Sequence, residues 1–299
     1  MGRDASGGAP DASVVIDAAD IDAFWRDGVV CLRQVMPPAW LERMADPIER
    51  ALADTTTTTN LTALGTAVVP DAMLGDRGAT GPRGQFLAGT DHWKVDPDFA
   101  DFALTSPLPA IVAQLLRTSH VYLYEDSVLV KEPGTREPTA FHQDMGYFHL
   151  EGDQVCTTWV PLDPVTPATG AVVFARGSHR WERDFRPNWF VSQQSMPDTD
   201  GEDTPDVFAS PGEYDLITFD TQPGDITVHH ARTLHGATAN TSPTLRRRAI
   251  SVRYCGDDAR HHIRRGAQLK PHHHHMAEGD PAEHEGCPRA WPPSPVPGG

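Results

Sequence analysis

The stretch VYLYEDSVLV at residues 121–130, followed by the turn Glu132-Pro133-Gly134, decides the fold class of this 299-residue chain. Val and Tyr, which favour strands, recur along it. Comparable short runs follow later in the chain and are separated by turn clusters such as Pro223-Gly224-Asp225. These runs occupy residues 155–162, 171–175, 216–219, 226–228 and 249–254. Many short strands with turns between them predict a barrel or a two-sheet jelly roll.

The part of the chain before this stretch is predicted to contain helices. Residues 20–27 are expected to form a short helix, followed by a strand at Val29–Leu32. The pair Pro37-Pro38 is predicted to open a second helix, because proline suits the first turn of a helix, and a third helix is predicted at residues 107–116. Residues 60–90 are rich in glycine and lack a clear period, which indicates a loop region.

The composition predicts a single domain with two tails. Residues 1–13 are small and polar and are expected to be disordered, and residues 14–265 are predicted to form the domain. Residues 182–213 are polar and weakly periodic, which is typical of a lid or a binding loop. Residues 266–299, with the histidine run 272–275, are interpreted as a low-complexity tail that is disordered.

The charge of the chain excludes some classes of partner. The formal net charge is -16, and such an acidic surface repels nucleic acids and anionic membranes. No apolar run is long enough to span a membrane. The four cysteines include no CxxC pair, which favours a reducing, cytoplasmic location. No obligate protein partner is indicated, and a small-molecule substrate is expected.

The segment Phe141-His142-Gln143-Asp144 contains a candidate metal-binding pair. Residues two apart in a strand point to the same side, so His142 and Asp144 would present an imidazole and a carboxylate together. A His from a distant strand would complete a facial set of two His and one carboxylate, which leaves positions open on Fe(II). His149 and Glu151 have the same spacing and are a competing pair.

Three histidines, His229, His230 and His235, are candidates for the third ligand. His235 is followed by the arginine run 246–248. A 2-oxoglutarate oxygenase needs such a cation, because the distal carboxylate of its co-substrate must be paired when it is buried. Arginine suits this role because its planar guanidinium matches a carboxylate. A histidine that is not a ligand, such as His230, could orient one.

Residues 20–260 resemble the phytanoyl-CoA dioxygenase family, especially its bacterial members that act on small molecules. The order and spacing of several short motifs support the resemblance. These motifs are FWRDGVV at 24–30, VKEPG at 130–134, HQD at 142–144, WVPLD at 159–163, ARGSH at 175–179, LHG at 234–236 and RY at 253–254.

The resemblance implies a mainly β fold, a double-stranded β-helix of the jelly-roll or cupin-like type, with flanking α-helices. It implies that Fe(II) is bound by His142, Asp144 and His235, which would also be the catalytic centre. It further implies that 2-oxoglutarate and O2 are co-substrates, and that Trp159 lies beside the 2-oxoglutarate. Ala237 stands where the family often has Ser, so one expected hydrogen bond is absent.

The family pattern places the 2-oxoglutarate arginine at Arg246 or Arg247. Counting forward from His235 favours Arg246, whereas counting back from the RY motif favours Arg247. Side chains alternate along a strand, so Arg247 shares one face with residues 249, 251 and 253. The other face contains Ile250 and Val252, which are expected to pack under helices. The alternation therefore predicts that Arg247 points into the barrel.

The predicted function is hydroxylation of a small organic molecule, with release of succinate and CO2. Tyr147, Phe148 and Trp181 are candidates for an apolar substrate pocket, with core packing as the alternative. Desaturation, epimerisation or ring closure at the same iron is an alternative reaction. A module that holds metal without turnover is an alternative from a different class.

Overall fold

Strands form most of the regular structure, as the short β-rich runs predict. The computed structural model describes residues 14–68 and 83–293, and the tail predicted at residues 1–13 lies outside them. In chain order the strands are β1 (Val29–Leu32), β2 (Thr58–Asn60), β3 (Phe86–Thr90), β4 (Val121–Lys131), β5 (Thr139–His142), β6 (Leu150–Glu151), β7 (Val155–Pro161), β8 (Val172–Ala175), β9 (Leu216–Thr218), β10 (Ile226–His230), β11 (His235–Ala237), β12 (Arg247–Cys255), β13 (Arg260–His261) and β14 (Arg289–Trp291).

Most strands belong to two antiparallel sheets. The larger sheet has eight strands in the order β1-β10-β7-β12-β4-β3-β2, and β14 also pairs with β4. The smaller sheet has four strands in the order β5-β11-β8-β9, and β6 pairs with β13 separately. This mainly β arrangement of two sheets is the predicted jelly roll, and the cavity described below is lined by residues of both sheets.

The described ranges contain five α-helices, four of which cover the outer face of the larger sheet. They are α1 (Ala18–Asp27), α2 (Pro38–Ala53), α3 (Leu61–Val68), α4 (Pro97–Thr105) and α5 (Leu108–Leu115). Side chains from α1, α2, α4 and α5 form one hydrophobic cluster with the outward residues of the sheet, including Val128, Val160 and Ile250. None of the helices within the described ranges is long and apolar enough to cross a membrane.

The alternation predicted for β12 is present in the structure. Ile250 and Val252 are buried in the cluster beneath the helices. Arg247, Ser251 and Arg253 lie on the opposite face and line the cavity between the sheets. The larger sheet therefore presents an apolar face to the helices and a largely polar face to the cavity.

The prediction of a loop at residues 60–90 is wrong at both ends of that range. Residues 61–68 form α3, and β3 pairs with β4 along its whole length. Phe86 is fully buried at the start of β3. The glycine-rich composition concealed these elements because β3 gains its hydrogen bonds from a strand 40 residues away in the chain, a partner that no local pattern shows.

The prediction of a disordered tail from residue 266 is wrong for residues 266–293. This C-terminal segment contains a 3-10 helix at Pro271–His275 and strand β14. Lys270 forms ion pairs with Glu125 at 2.6 Å and Asp91 at 2.9 Å, and His273 is buried. The segment has no apolar period because ion pairs and imidazole packing, rather than an apolar stripe, attach it to the core.

Candidate metal centre

The two sheets bring His142, Asp144 and His235 together. His142 is the last residue of β5, and it lies directly opposite His235 on β11. Asp144 follows two residues after His142, where the chain leaves β5 for a 3-10 turn at Asp144–Tyr147. All three residues are buried, and one ligand atom from each lies within 4.8 Å of the others. Among the described residues, these three form the cluster of His, Cys, Asp or Glu side chains that is close enough to bind one metal ion.

Hydrogen bonds fix the orientation of both imidazole rings. His142 Nδ1 lies 2.8 Å from the Ala140 carbonyl oxygen, and His235 Nδ1 lies 2.9 Å from the Thr233 carbonyl oxygen. Each Nδ1 therefore carries the proton and donates it, because a carbonyl oxygen only accepts. The unprotonated Nε2 atoms point towards Asp144 Oδ1, at 3.5 Å from His142 and 3.8 Å from His235. The donor set is thus two neutral imidazoles and one carboxylate, which suits non-haem Fe(II).

The other carboxylate oxygen of Asp144 is held by the larger sheet. Thr157 on β7 donates its hydroxyl hydrogen to Oδ2, and His229 Nε2 on β10 lies 3.2 Å from the same atom. Burial raises the pKa of Asp144, but the neighbouring histidines, His235 first and then His142 and His229, outweigh it, so the pKa lies well below its usual range. Burial, with His229 and His142 nearby, lowers the pKa of His235 far below its usual range. Both groups are therefore in their metal-binding protonation states at neutral pH.

Arg247 lines the same cavity as the three candidate ligands. It is 2% exposed, and its guanidinium lies 5.7 Å from the ring centre of Trp159. Its Nη1 donates to the Leu129 carbonyl oxygen at 3.2 Å, while its Nε has no hydrogen-bond partner among the described residues. Burial lowers the pKa of Arg247 to about 10, so the group remains charged at neutral pH. A buried cation in this position is suited to an anionic ligand.

Arg246 lies outside the cavity. It pairs with Glu49 of α2 and with Glu132, the latter at 2.8 Å. Arg248 likewise turns away and pairs with Asp163 at 2.7 Å. Of the three consecutive arginines, only Arg247 is among the residues that line the cavity.

The competing pair His149 and Glu151 does not form a metal site. Glu151 forms ion pairs with Arg232 and Arg264, and the latter pair is 2.5 Å long. His149 is fully buried and its ring packs against His273 of the C-terminal segment. These two residues therefore attach the later part of the chain to the core, His149 through His273 and Glu151 through Arg264.

The three candidate pocket residues have different positions. Tyr147 places its ring edge against His142, with ring centres 5.6 Å apart. Phe148 instead packs against Tyr124 in a separate hydrophobic cluster, and Trp181 packs against Tyr214 in another. None of the three is among the residues that line the cavity containing the metal ligands, and core packing describes Phe148 and Trp181, while Tyr147 contacts the ring of His142.

Sequence reasoning missed the neighbours of Asp144. His229, one of the three candidate ligands, lies 3.2 Å from Asp144 Oδ2, whereas His142 and His235 approach Oδ1. His230 points to the opposite face of β10 and packs against Phe24 and Trp25 of α1. The strict alternation of adjacent residues in a strand was the available signal, because only one of the two histidines can face the cavity.

The predicted lid contributes an aromatic residue beside the metal ligands. Phe190 lines the cavity, and its ring centre lies 5.0 Å from that of His142. Asn188 is buried and donates from Nδ2 to the Phe141 carbonyl oxygen at 2.8 Å. Its side-chain oxygen accepts the backbone N–H of Phe190 at 2.9 Å. Asn188 therefore attaches this segment to β5, next to the ligand that β5 carries.

Known proteins with related sequences are oxygenases by name. The chain is 29% identical over 144 residues to a probable alpha-ketoglutarate-dependent hypophosphite dioxygenase of Stutzerimonas stutzeri, which is 47% of each chain. It is 28% identical over 122 residues to a probable phytanoyl-CoA dioxygenase of Caenorhabditis elegans, covering 39% of this chain and 36% of that protein. The matched region therefore spans less than half the length of these curated relatives.

Solved structures share the fold over most of the chain. The carbocyclase SnoK from nogalamycin biosynthesis is 22% identical and superimposes with a TM-score of 0.66, covering 94% of this chain and 99% of SnoK. EctD from S. alaskensis, solved with 2-oxoglutarate and 5-hydroxyectoine, is 18% identical with a TM-score of 0.61, covering 89% of this chain and 86% of EctD. At these low sequence identities, the structural similarity shows that the chain shares the fold of these proteins.

The family model described as phytanoyl-CoA dioxygenase matches residues 24–249, which include the smaller sheet, most strands of the larger sheet and the three candidate ligands. That range covers most of the chain. The protein therefore belongs to the phytanoyl-CoA dioxygenase family.

Proposed function

We propose that this protein is an Fe(II)- and 2-oxoglutarate-dependent oxygenase that hydroxylates a small organic molecule and releases succinate and CO2. One observation carries the proposal. The His142, Asp144 and His235 set lines the same cavity as the buried Arg247, whose Nε has no partner in the described residues. A keto acid that binds a metal at one end and carries a carboxylate at the other fits these two features together.

The donor set fits iron, and each residue has a definite task. His142 and His235 would bind Fe(II) through Nε2, and Asp144 would bind it through Oδ1, which leaves three positions open. Thr157 and His229 hold Oδ2 and so keep Asp144 a one-oxygen ligand. When bound, Fe(II) supplies the electrons that activate O2.

Arg247 would hold the distal carboxylate of 2-oxoglutarate, and Trp159 would form the adjacent wall. The buried position of Arg247 strengthens such a pair, because little water competes for it. The segment 182–213 would act as a lid, with Phe190 excluding water from the ligand side. Tyr147 would border the substrate next to His142.

We place this activity in the reducing cytoplasm, since the four cysteines are all free and three of them are buried. The net charge of -16 supports a small-molecule substrate rather than a nucleic acid. The S. stutzeri relative and SnoK are both named for small-molecule chemistry, which supports the same class.

The test is release of succinate from 2-oxoglutarate by the purified protein with Fe(II) and O2, and the Asp144→Ala variant is the control. We expect slow succinate release without added substrate, faster release with the true substrate, and none from Asp144→Ala. Binding of iron without any 2-oxoglutarate consumption would instead support a metal-holding module. Mass spectrometry of the product would distinguish hydroxylation, which adds one oxygen atom, from desaturation, epimerisation or ring closure.

A further inference from the structure

A second arginine, Arg253, lies on the cavity face of β12. It occupies the same face as Arg247, six residues further along the strand. Its neighbour across β7 is Thr157, the residue that donates to Asp144. Arg253 is 8% exposed, and it lines the cavity together with the metal ligands. The cavity is therefore lined by two buried cations, Arg247 and Arg253. Arg253 lies opposite Thr157, the residue that donates a hydrogen bond to Asp144.

Arg253 is only partly satisfied by its neighbours. Its Nη1 donates to the Ser127 hydroxyl, and its Nε is buried without a hydrogen-bond partner in the part of the chain that the structure describes. The nearest recorded carboxylate is Glu125, at 3.7 Å from Nη1. That distance permits Coulombic attraction but exceeds a hydrogen bond. The guanidinium thus retains donor capacity in a position that borders the cavity.

Lys270 of the C-terminal segment explains why Glu125 does not close onto Arg253. Lys270 Nζ lies 2.6 Å from Glu125 Oε2 and 2.9 Å from Asp91 Oδ1. Lys94 approaches the other oxygen of Asp91, at 3.1 Å. The connected group therefore contains the carboxylates of Asp91 and Glu125 and the cations Lys94, Lys270 and Arg253. Three positive charges and two negative charges leave a net charge of one positive.

Two further acids, Asp144 and Asp126, do not remove this excess. Asp144 lines the same cavity, but its charge would be neutralised by the metal ion that it binds. Asp126 follows Glu125 on β4 and so points to the opposite face, where it accepts the backbone N–H of Trp93 at 3.2 Å. Burial raises the pKa of Asp126 to about 7, which further reduces its charge at neutral pH. Of the three cations in this group, Arg253 is the one that lines the cavity.

One 2-oxoglutarate molecule cannot use both arginines. Six residues of strand separate the Arg247 and Arg253 backbones by about 20 Å. The co-substrate has a single distal carboxylate, and Arg247 beside Trp159 is suited to it. Arg253 lies nearer the Thr157 side of Asp144, which leaves it for the other organic molecule.

We propose that Arg253 binds an oxyanion group of the primary substrate, and that Lys270 keeps Arg253 available by holding Glu125. The inference rests on the proposed oxygenase function and names its substrate class, a small molecule with a carboxylate or phosphorus oxyanion. Arg253 is a substrate-binding residue in this scheme. Lys270 is a positioning residue, because it acts through Glu125.

The test compares matched charged and neutral probes with the Fe(II)- and 2-oxoglutarate-loaded protein under anaerobic conditions. The probes are butanoate against butanamide, phenylacetate against phenylacetamide, and, for the phosphorus oxyanion, ethylphosphonate against ethylphosphonic diamide. Binding is measured by calorimetry and by the change in the visible absorption of the loaded protein. We expect the anion of at least one pair to bind roughly 10-fold more tightly than its amide, because hydrogen bonds between two charged groups are stronger than those to a neutral acceptor.

Three variants change the anion preference in different directions: two should weaken it and one should strengthen it. Arg253→Gln should remove the preference for the anion, and Lys270→Met should weaken it because Glu125 is then free to pair with Arg253. Glu125→Gln should strengthen anion binding, because it removes the competing carboxylate while Asp91 still pairs with Lys270. Arg246→Gln, which alters an arginine outside the cavity, should leave the preference unchanged. The increase expected for Glu125→Gln keeps the test decisive even if Arg253→Gln fails to fold.

The proposal is overturned if no probe anion binds better than its amide, or if Glu125→Gln weakens anion binding. It is also overturned if Arg253→Gln abolishes 2-oxoglutarate binding, because Arg253 would then be the co-substrate cation. Succinate release separates these failures from failure of the oxygenase function. A protein that releases succinate but shows no preference for anions contradicts only the substrate class. A protein that neither binds 2-oxoglutarate nor releases succinate contradicts both.

Discussion

Replacing Arg247 with alanine should weaken 2-oxoglutarate binding far more than replacing its neighbour Arg246. Arg247 is almost fully buried in the cavity and pairs with no carboxylate among the described residues, so an entering dicarboxylate would meet an available cation. Arg246 already pairs with Glu49 and Glu132 at the protein surface. Each variant removes one positive charge. Arg247→Ala removes it from the cavity face of β12, and Arg246→Ala removes it from the opposite face.

The magnitude follows from the burial of Arg247. Removing one partner of a buried charged pair costs about 3–5 kcal/mol. We take the lower limit, because water can enter the space left by alanine, and about 3 kcal/mol corresponds to roughly a 150-fold increase in the Kd. Exposed ion pairs contribute about 0–1 kcal/mol to stability, so Arg246→Ala should cost little and leave the Kd close to its original value.

The Tm of Arg247→Ala, measured with and without 2-oxoglutarate, distinguishes loss of ligand binding from damage to the core. Burial lowers the pKa of Arg247 to about 10, which means that burying this charge opposes folding. Arg247→Ala should therefore not lower the Tm through loss of charge, whereas the increase in Tm caused by 2-oxoglutarate should disappear. A variant that simply damaged the core would lower the Tm in both conditions.

The assay is an anaerobic titration of the Fe(II) protein with 2-oxoglutarate, followed by its visible charge-transfer absorption. Calorimetry with the same samples gives the Kd independently. The reasoning is refuted if Arg246→Ala shows the large loss and Arg247→Ala binds almost normally. That result would mean that the forward count from His235, and not the alternation along β12, identifies the co-substrate arginine.

Three further predictions concern the metal centre and the C-terminal segment. Asp144→Ala should abolish iron binding, while Glu151→Ala should retain it, because Glu151 pairs with Arg232 and Arg264 and is not part of the ligand group; iron content measures both. Thr157→Val should weaken iron binding by about 10–100-fold, the usual effect of losing a group that orients a ligand, as measured by chelator competition. Burial lowers the pKa of His272 to about 4 and of His273 to about 3. Both take up protons more readily when unfolded, so the free energy of unfolding should fall as the pH decreases from about 6.5 towards 4, measured by urea denaturation.

Each of these predictions has a result that would contradict it. Iron retained in Asp144→Ala but lost in Glu151→Ala would move the site to the competing pair. Unchanged iron affinity in Thr157→Val would mean that His229 alone orients the carboxylate. The double variant with His272→Gln and His273→Gln should reduce the pH dependence, and an unchanged slope would assign it to other groups.

The sequence predicted those features that depend on local spacing. The strand Val29–Leu32 has the predicted bounds, and the face of β12 that carries Arg247 follows from simple alternation. The ligand pair His142 and Asp144 is close because the residues are two apart in the chain. For these features, short-range geometry alone determines what the side chains meet.

Features that depend on distant strands could not be read in this way. Thr157 and His229 hold Asp144 because β7 and β10 are adjacent in the larger sheet, and no local pattern reports that pairing. The order of the C-terminal segment depends on Lys270 reaching Glu125, 145 residues earlier in the chain. A polar segment that is ordered by such distant contacts can have the same composition as a disordered segment, so composition alone does not distinguish the two.

The central place of β12 in the larger sheet also sets when the molecule can assemble. Its partners β4 and β7 are synthesised about 90 or more residues earlier, so the middle of the sheet stays open until residue 255 has left the ribosome. Until then, β4 and β7 present unpaired edges that invite association with other chains. Chaperone dependence during synthesis should therefore be greatest before β12 emerges.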